Sequence, residues 1–459
     1  MKKLFIYSSV ILVIALSAGC KKQLDLLPTD SIDITKAFTS VTDLEQGLLG
    51  VYSANNQMNK EYIGSILADE AKLSDENRGQ GQFEFKWQYS SGGGSVTAAY
   101  RQYYSMIDRI HRIQAAIPTI TPANSDESNR MARIKAELSA LKGIAYYESL
   151  INVMPPGYNG SALGIAIVNE SCLNCTPARN TVAEVVAQIE TLLNASRLDG
   201  AIPNAPTDPI RLSKSAIAGY QSRVAMLKKD WAAAVTYASD AITLSGKTLA
   251  TGSTFVNYWS DANESESIFK YRNQTAPRLL WRDSNGDVFF EPSIKLKSLF
   301  DRVNDIRFST YFSSSGTDTS IVSKFKGSSF GANINDLQIM RLAELYLNRA
   351  ESQAHNNQLA QAAADVQAIR VARGIAGTVT FSSQAQAETE VLNERFKELC
   401  FEGFRYYDLK RNSLPINRLA SDVQSTEWIS LPVSDYRYTL PIPNDAVLAN
   451  PNTKQNPGY

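Results

Sequence analysis

Histidine is nearly missing from this chain: His111 and His355 are the only two in 459 residues. Imidazole is the usual general base and a common metal ligand near neutral pH, so His-based catalysis and His-rich metal sites are poor expectations. Both histidines fall in helical patterns, where surface or capping roles are expected. Cysteine occupies four positions: Cys20, Cys172, Cys175 and Cys400. Cys172 and Cys175 have the spacing of two metal ligands, but no second pair exists to complete a site. Neither charge is in excess, with 46 Lys plus Arg against 46 Asp plus Glu, and no basic run stands out. Nucleic acid is therefore not an expected partner. The glycine stretches Gly79–Gly81 and Gly92–Gly94 lack the following Lys of a phosphate-cradling loop. No nucleophile motif is present. Adjacent carboxylates such as Asp69 with Glu70, or Asp75 with Glu76, are not the opposed pair that glycoside hydrolysis needs. The expectation is a protein without catalytic activity, cofactor or metal.

A long apolar run is also lacking. Leu4–Leu16 is too short to span a bilayer, and it follows Lys2 and Lys3, as in an export signal. Leu16-Ser17-Ala18-Gly19-Cys20 has the character of a lipoprotein cleavage site, which would place a signal peptide at 1–19 and a lipid on Cys20. Acyl chains there would hold the protein at a membrane without a spanning helix. An ordinary secretory peptide with a spare Cys is the other reading. In an exported chain, Cys172 and Cys175 read as a short-loop disulfide, with two free thiols as the alternative. Cys400 reads as a buried free thiol.

What the chain does have is helical periodicity. Apolar residues recur at three- and four-residue spacing over Thr42–Tyr52, Thr97–Ile117, Asn129–Val153, Val182–Leu198, Ser213–Lys228, Trp231–Leu244, Ile339–His355 and Leu359–Arg373. Short turns join these segments in pairs: a polar Asn124-Ser125-Asp126 turn, a tight Lys229-Asp230 turn, and Asn356-Asn357. Gly374 is placed to cap the last of them. Helix pairs that carry Tyr or Leu on one member and Ala at the crossing on the other resemble degenerate tetratricopeptide units. The fold class expected is mostly α: an alpha-alpha superhelix of helical hairpins with a loop-rich ligand-binding face and a few short strands. An ordinary irregular helical domain is the alternative. Residues 246–335 differ, being rich in Ser, Asn, Asp and Gly. Their short apolar stretches at Ile268–Tyr271, Val288–Phe290 and Ile321–Phe325 suggest small strands among loops. Phe83, Phe85, Trp87 and Tyr89 alternate, which predicts a strand with one aromatic face.

The stretch Glu394–Arg411 combines an apolar stripe (Phe396, Leu399, Cys400, Gly403, Tyr407) with a carboxylate row (Glu394, Glu398, Glu402). Arg395, Arg405 and Arg411 each lie three residues from an acid (Glu398, Glu402, Asp408), the distance at which helical side chains meet. One helix is predicted, held between other elements with its ions paired; a solvated charged face is the bland alternative.

That stretch resembles the C-terminal signature of the SusD/RagB family of outer-membrane nutrient-binding lipoproteins. The matching residues are Glu394, Arg395, Glu398, Leu399, Glu402, Gly403, Arg405, Tyr406, Asp408, Leu409, Lys410 and Arg411. Met340–Glu351 resembles a second run of that family, and the tail a third: Leu440-Pro441-Ile442-Pro443, then Asn450-Pro451, then Gln455–Tyr459. The resemblance implies one body over 20–459, with a helical N-terminal part (21–245), a loop-rich insertion (246–335) and a C-terminal part (336–459). It implies a lipid-anchored, surface-exposed outer-membrane protein. Such a protein binds a glycan and passes it to a SusC-like TonB-dependent transporter. A RagB-like peptide receptor and a helical-repeat scaffold without a small ligand are the two other readings.

The ligand residues are expected among aromatics in irregular segments. Flat rings match the C–H faces of sugars, and nearby polar groups bind hydroxyls. Trp87, Tyr89 and Trp281, with Asp75 and Arg78, form the expected glycan site. Trp259 also lies in an irregular segment, whereas Trp231 and Trp428 read as packing residues.

Overall fold

The structure, a computed structural model, describes residues 37–54, 58–172, 174–206, 208–275, 280, 282, 285–314 and 320–459. The expected signal peptide, Cys20 and Trp281 lie outside them. The long helices are α1 (Val41–Ala54), α2 (Met58–Ile66), α3 (Ser95–Ala116), α4 (Ser125–Val153), α5 (Val182–Leu198), α6 (Lys214–Lys228), α7 (Trp231–Ser245), α8 (Leu342–His355), α9 (Leu359–Ala372) and α10 (Gln384–Glu398). Two shorter ones follow, α11 (Arg405–Arg411) and α12 (Asn444–Ala449). Helix pairs stack in series, α3 on α4, α4 on α5, α6 on α7, α7 on α8, α8 on α9 and α10. This is the superhelix of hairpins that the periodicity predicts.

Local chemistry sets the helix ends. Asn124 caps α4 by accepting from Glu127 N, and Thr181 and Glu184 cap α5 reciprocally. Lys229 takes a left-handed φ of 62°, and Asp230 then caps α7, so two residues reverse the chain. Ala234, Ala238 and Ala241 are fully buried along α7, where small side chains let neighbouring helices approach. Gly219 on α6 makes an equally close approach: a Cβ there would lie 2.1 Å from Met340 Sδ.

The strands are short. The main ones are β1 (Ala71–Leu73), β2 (Ser267–Thr275), β3 (Phe290–Pro292) and β4 (Ile334–Arg341). β2 pairs antiparallel with β4, setting Tyr271 opposite Leu337, and β1 pairs with β3. β4 runs directly into α8, which delivers Arg341 to the centre of the molecule.

That centre is ionic. Glu398 is fully buried and meets Arg341 at 2.7 Å, Arg373 at 2.7 Å and Arg307 at 2.9 Å. Glu402 binds Arg341 at 2.7 Å and Lys324 at 2.6 Å, Glu394 binds Arg307 at 2.7 Å and Arg370 at 2.8 Å, and Glu266 binds Arg373 at 2.8 Å. Burial alone would push the Glu394 carboxyl up, but Arg307, Lys397 and Arg370 outweigh it and hold it at about 2. The Glu398 carboxyl is held well below its ordinary range against the same burial by Arg373, Arg341 and Arg307. Trp259 and Tyr311 cover Lys324, their ring centroids 4.3 and 4.0 Å from Nζ.

The run 394–411 is not one helix. It breaks after Glu398 and resumes at Arg405, with left-handed φ at Phe401 (62°) and Gly403 (77°). Gly403 packs on the α2 backbone: a Cβ would lie 2.9 Å from Glu61 Cα. The break redirects the cations. Arg395 pairs with Asp408 and Glu351, Arg405 with Asp69, and only Arg411 keeps its expected partner, Asp408. Cys400 is buried as a free thiol, and burial pushes it up to about 12. His111 is buried as well, not a surface residue, whereas His355 stacks on Trp231 with centroids 4.0 Å apart.

Candidate ligand-binding face

Pairing of β1 with β3 brings together two segments that are far apart in sequence. The loop after β1 then lies against the loop before β3. Ser74 N and Asn77 Nδ2 both donate to Phe289 O, at 3.2 and 3.0 Å. Glu76 accepts from Val288 N at 2.6 Å, and Arg78 meets Asp287 at 2.7 Å. Asn333 Nδ2 donates to Arg282 O at 3.1 Å and ties in the hairpin Gly327–Ala332. The result is a face made of loops, seated on the helical frame.

Two of the expected ligand residues are accessible on this face. Asp75 is exposed and lines a shallow depression of about 140 Å³ with Lys72, Ser421 and Gln424. The Arg78 side chain is 68% exposed, and its surface ion pair is weak enough to exchange for a ligand.

Trp87 does not belong to the face. Only 1% of it is exposed, its indole N–H donates to Leu67 O at 3.0 Å, and the Arg418 guanidinium lies 4.1 Å from the ring centroid. No ring surface is left for a sugar. The predicted strand is the cause of the misplacement. Residues Gln82–Phe85 form a helical turn instead, and Trp87 follows with a φ of 54°, which turns its ring inward. Trp259 is likewise buried, between Tyr258 and Tyr311. Tyr89 is half-buried, its hydroxyl donates to Arg437 O, and burial and nearby Tyr459 push its pKa up. Trp428 is half-buried, with Lys86 Nζ 4.7 Å from its ring centroid.

The two most exposed rings among the described residues are Phe83 and Phe330, each 67% exposed. Phe83 sits on the turn beside Gln82, which bonds Asn77. Phe330 sits at the tip of the hairpin tied to Arg282. Within the aromatic alternation it is Phe83, not Trp87, whose ring faces solvent. The glycines flanking Phe330, Gly327 and Gly331, are the available signal of a hairpin tip. The Cys172–Cys175 disulfide is present, with Cα atoms 5.6 Å apart. It borders a larger cavity, about 700 Å³, that lies away from this face between α3 and α12.

A family model described as "SusD family" matches residues 301–459. A second, described as "Starch-binding associating with outer membrane", matches residues 22–226. Among the curated proteins nothing matches. Among solved structures the chain is similar to a SusD superfamily protein from Bacteroides thetaiotaomicron VPI-5482, with a TM-score of 0.79 and 22% identity over 91% of this chain and 100% of that one. It is similar to a SusD-like carbohydrate binding protein from Bacteroides vulgatus ATCC 8482, with a TM-score of 0.78 and 20% identity over 91% and 98%. A laminarin binding SusD-like protein gives a TM-score of 0.70 and 19% identity over 92% and 100%. At these identities the likeness is one of fold.

Proposed function

This chain belongs to the SusD family, and from that premise we propose that it captures a glycan at the outer membrane through the loop face around Phe83, Asp75 and Arg78. One observation carries the reading: an open aromatic ring and unburied polar side chains share a face built from loops on a rigid helical frame. Such a surface can stack a sugar ring and bind its hydroxyls without cutting a bond. The "starch-binding" description of the model over residues 22–226 supports the ligand class. Trp281, next to Arg282 in sequence, supplies a second ring. The Tyr89 hydroxyl is already held by Arg437 O. A lipid on Cys20 holds the protein at the membrane, and a SusC-like TonB-dependent transporter receives the ligand. No helix among the described residues is long and apolar enough to cross a bilayer.

The test is calorimetry of the chain from Cys20 onward with soluble starch, laminarin and a mixed tryptic peptide pool. Glycan binding that weakens tenfold or more in Phe83→Ala with Arg78→Ala supports the reading. Binding to peptides alone would transfer the function to the peptide-receptor class, and no binding to anything would leave a scaffold. Co-purification of a transporter from detergent-solubilised outer membranes tests the partner.

A further inference from the structure

The loop face does not use the cavity between α3 and α12. We propose that this cleft is a second binding site, which takes the end of a neutral oligosaccharide. The ligand class rests on the proposed glycan capture; the site rests on its own geometry.

The volume, about 700 Å³, falls in the range of roughly 300–1,000 Å³ typical of small-molecule pockets. Three remote segments build it. On α3, Tyr100, Tyr104, Asp108 and His111 recur at spacings of four, four and three, so one helix face supplies one wall. Ala166–Glu170, with Cys172, Cys175 and Pro177, supplies the second wall, and α12 with the residues after it supplies the third. The rings of Tyr100 and Tyr104 lie 4.7 Å apart at 37° and present a continuous, half-exposed aromatic surface. Tyr104 is fixed in place by its hydroxyl, which donates to Ala166 O at 2.8 Å.

The cleft is held open by its own bonds. Arg101 on α3 grips Asp445 on α12 through two contacts at 2.9 and 3.0 Å. Asn450 Nδ2 donates to Pro177 O at 2.8 Å, and Ser171 donates to Asp108 at 2.6 Å. The Cys172–Cys175 disulfide pins the loop between those two contacts. A wall ordered before the ligand arrives loses less entropy on binding.

The polar groups indicate what fits. His111 is 4% exposed and lines the cavity, yet neither ring nitrogen makes a well-formed hydrogen bond, although the Glu170 main chain lies beside it. Leaving such a buried group unsatisfied is unfavourable, and a ligand hydroxyl would relieve it. Burial first, then Lys142, pushes its pKa down to about 4, so at neutral pH it both donates and accepts. Asp108, Glu170 and Asp445 line the space, and among the lining residues only Arg101 opposes them. That balance disfavours anions. An aromatic wall, a neutral donor–acceptor and a lining weighted toward carboxylates together describe a site for an uncharged, hydroxylated ring.

Calorimetry of the whole mature chain with maltohexaose and laminarihexaose tests this. Two variants address the cleft: Tyr100→Ala removes the wall, and Ala449→Trp, at an exposed position on the rim, fills the mouth. Phe83→Ala addresses the loop face. The expected result is a binding event that survives Phe83→Ala and weakens tenfold or more in both cleft variants, while their melting temperatures stay at the parent's value. Hexaose binding that stays within twofold in both cleft variants but disappears in Phe83→Ala would overturn the second site and leave the functional reading standing. Failure of the unmutated chain to bind either hexaose would overturn both.

Discussion

Replacing Glu398 with Gln should destabilise the protein by about 3–5 kcal/mol, the usual result of removing one partner from a buried ion cluster. The substitution keeps volume and shape. It removes the charge that faces Arg307, Arg341 and Arg373, all at 2.7–2.9 Å and all with side chains no more than 1% exposed. Water cannot reach these guanidinium groups to compensate. Unfolding entropy of about 2.1 cal/mol/K per residue gives roughly 1 kcal/mol/K for 459 residues. The melting temperature should therefore fall by about 3–5 °C in calorimetry, with a matching drop in urea midpoint. Lys228→Gln, which breaks a half-exposed pair with Glu190, serves as the control and should cost about 0–1 kcal/mol. The acid limb adds a second readout. Glu394 titrates at about 2 in the fold against an ordinary 4.5, and Glu398 is depressed in the same direction. Their contribution is complete above pH of about 4.5 and is lost as pH falls toward 2. Glu398→Gln should flatten that acid limb. A variant as stable as the parent, with an unchanged acid limb, would refute the claim that this cluster holds the fold together.

Three further outcomes follow from the same geometry. Burial first, with Asp69 adding to it, raises the Glu70 carboxyl to about 8 from an ordinary 4.5, so stability present below pH 4.5 is lost as pH rises to 8. Glu70→Gln should remove that decline and be the more stable form at pH 8, on the order of 1–3 kcal/mol, by urea titration across pH. Gly403→Ala must fit a Cβ 2.9 Å from Glu61 Cα at a φ of 77°, and should cost on the order of 2–4 kcal/mol by the same assay. Trp87→Ala should lower stability by about 3–5 kcal/mol while leaving the glycan affinity of the folded protein unchanged; a stable variant with lost binding would return Trp87 to the ligand face.

The helices are legible in the chain because their signals are local. Asn124, Thr181, Ser213 and Asp230 cap them, and the apolar spacing runs uninterrupted between caps. The pairing of ions in 394–411 can also be anticipated, since a run so dense in both charge and aromatics suits an interior position. The break at 399–404 cannot, because it answers to the α2 backbone against which Gly403 packs. Trp87 misleads for the same kind of reason: Arg418 and Leu67, which enclose it, leave no trace in the local pattern. On the loop face, the exposure of Asp75 and Arg78 is legible from their loop setting. That of Phe330 is not, because exposure at a hairpin tip depends on a contact with Arg282. The second cleft draws on three distant segments, and no single stretch carries its outline.

Stacked helical hairpins often melt piecemeal, one unit at a time, because each touches only its neighbours. The ionic centre gives this body a different habit. Its charges arrive on β4, α9, α10, the short helix Ile306–Tyr311, the 3-10 turn Ser323–Phe325 and the segment around Glu266. Any half-assembled form would strand bare charge away from solvent. Such forms should be scarce, so the whole solenoid should disassemble in one step.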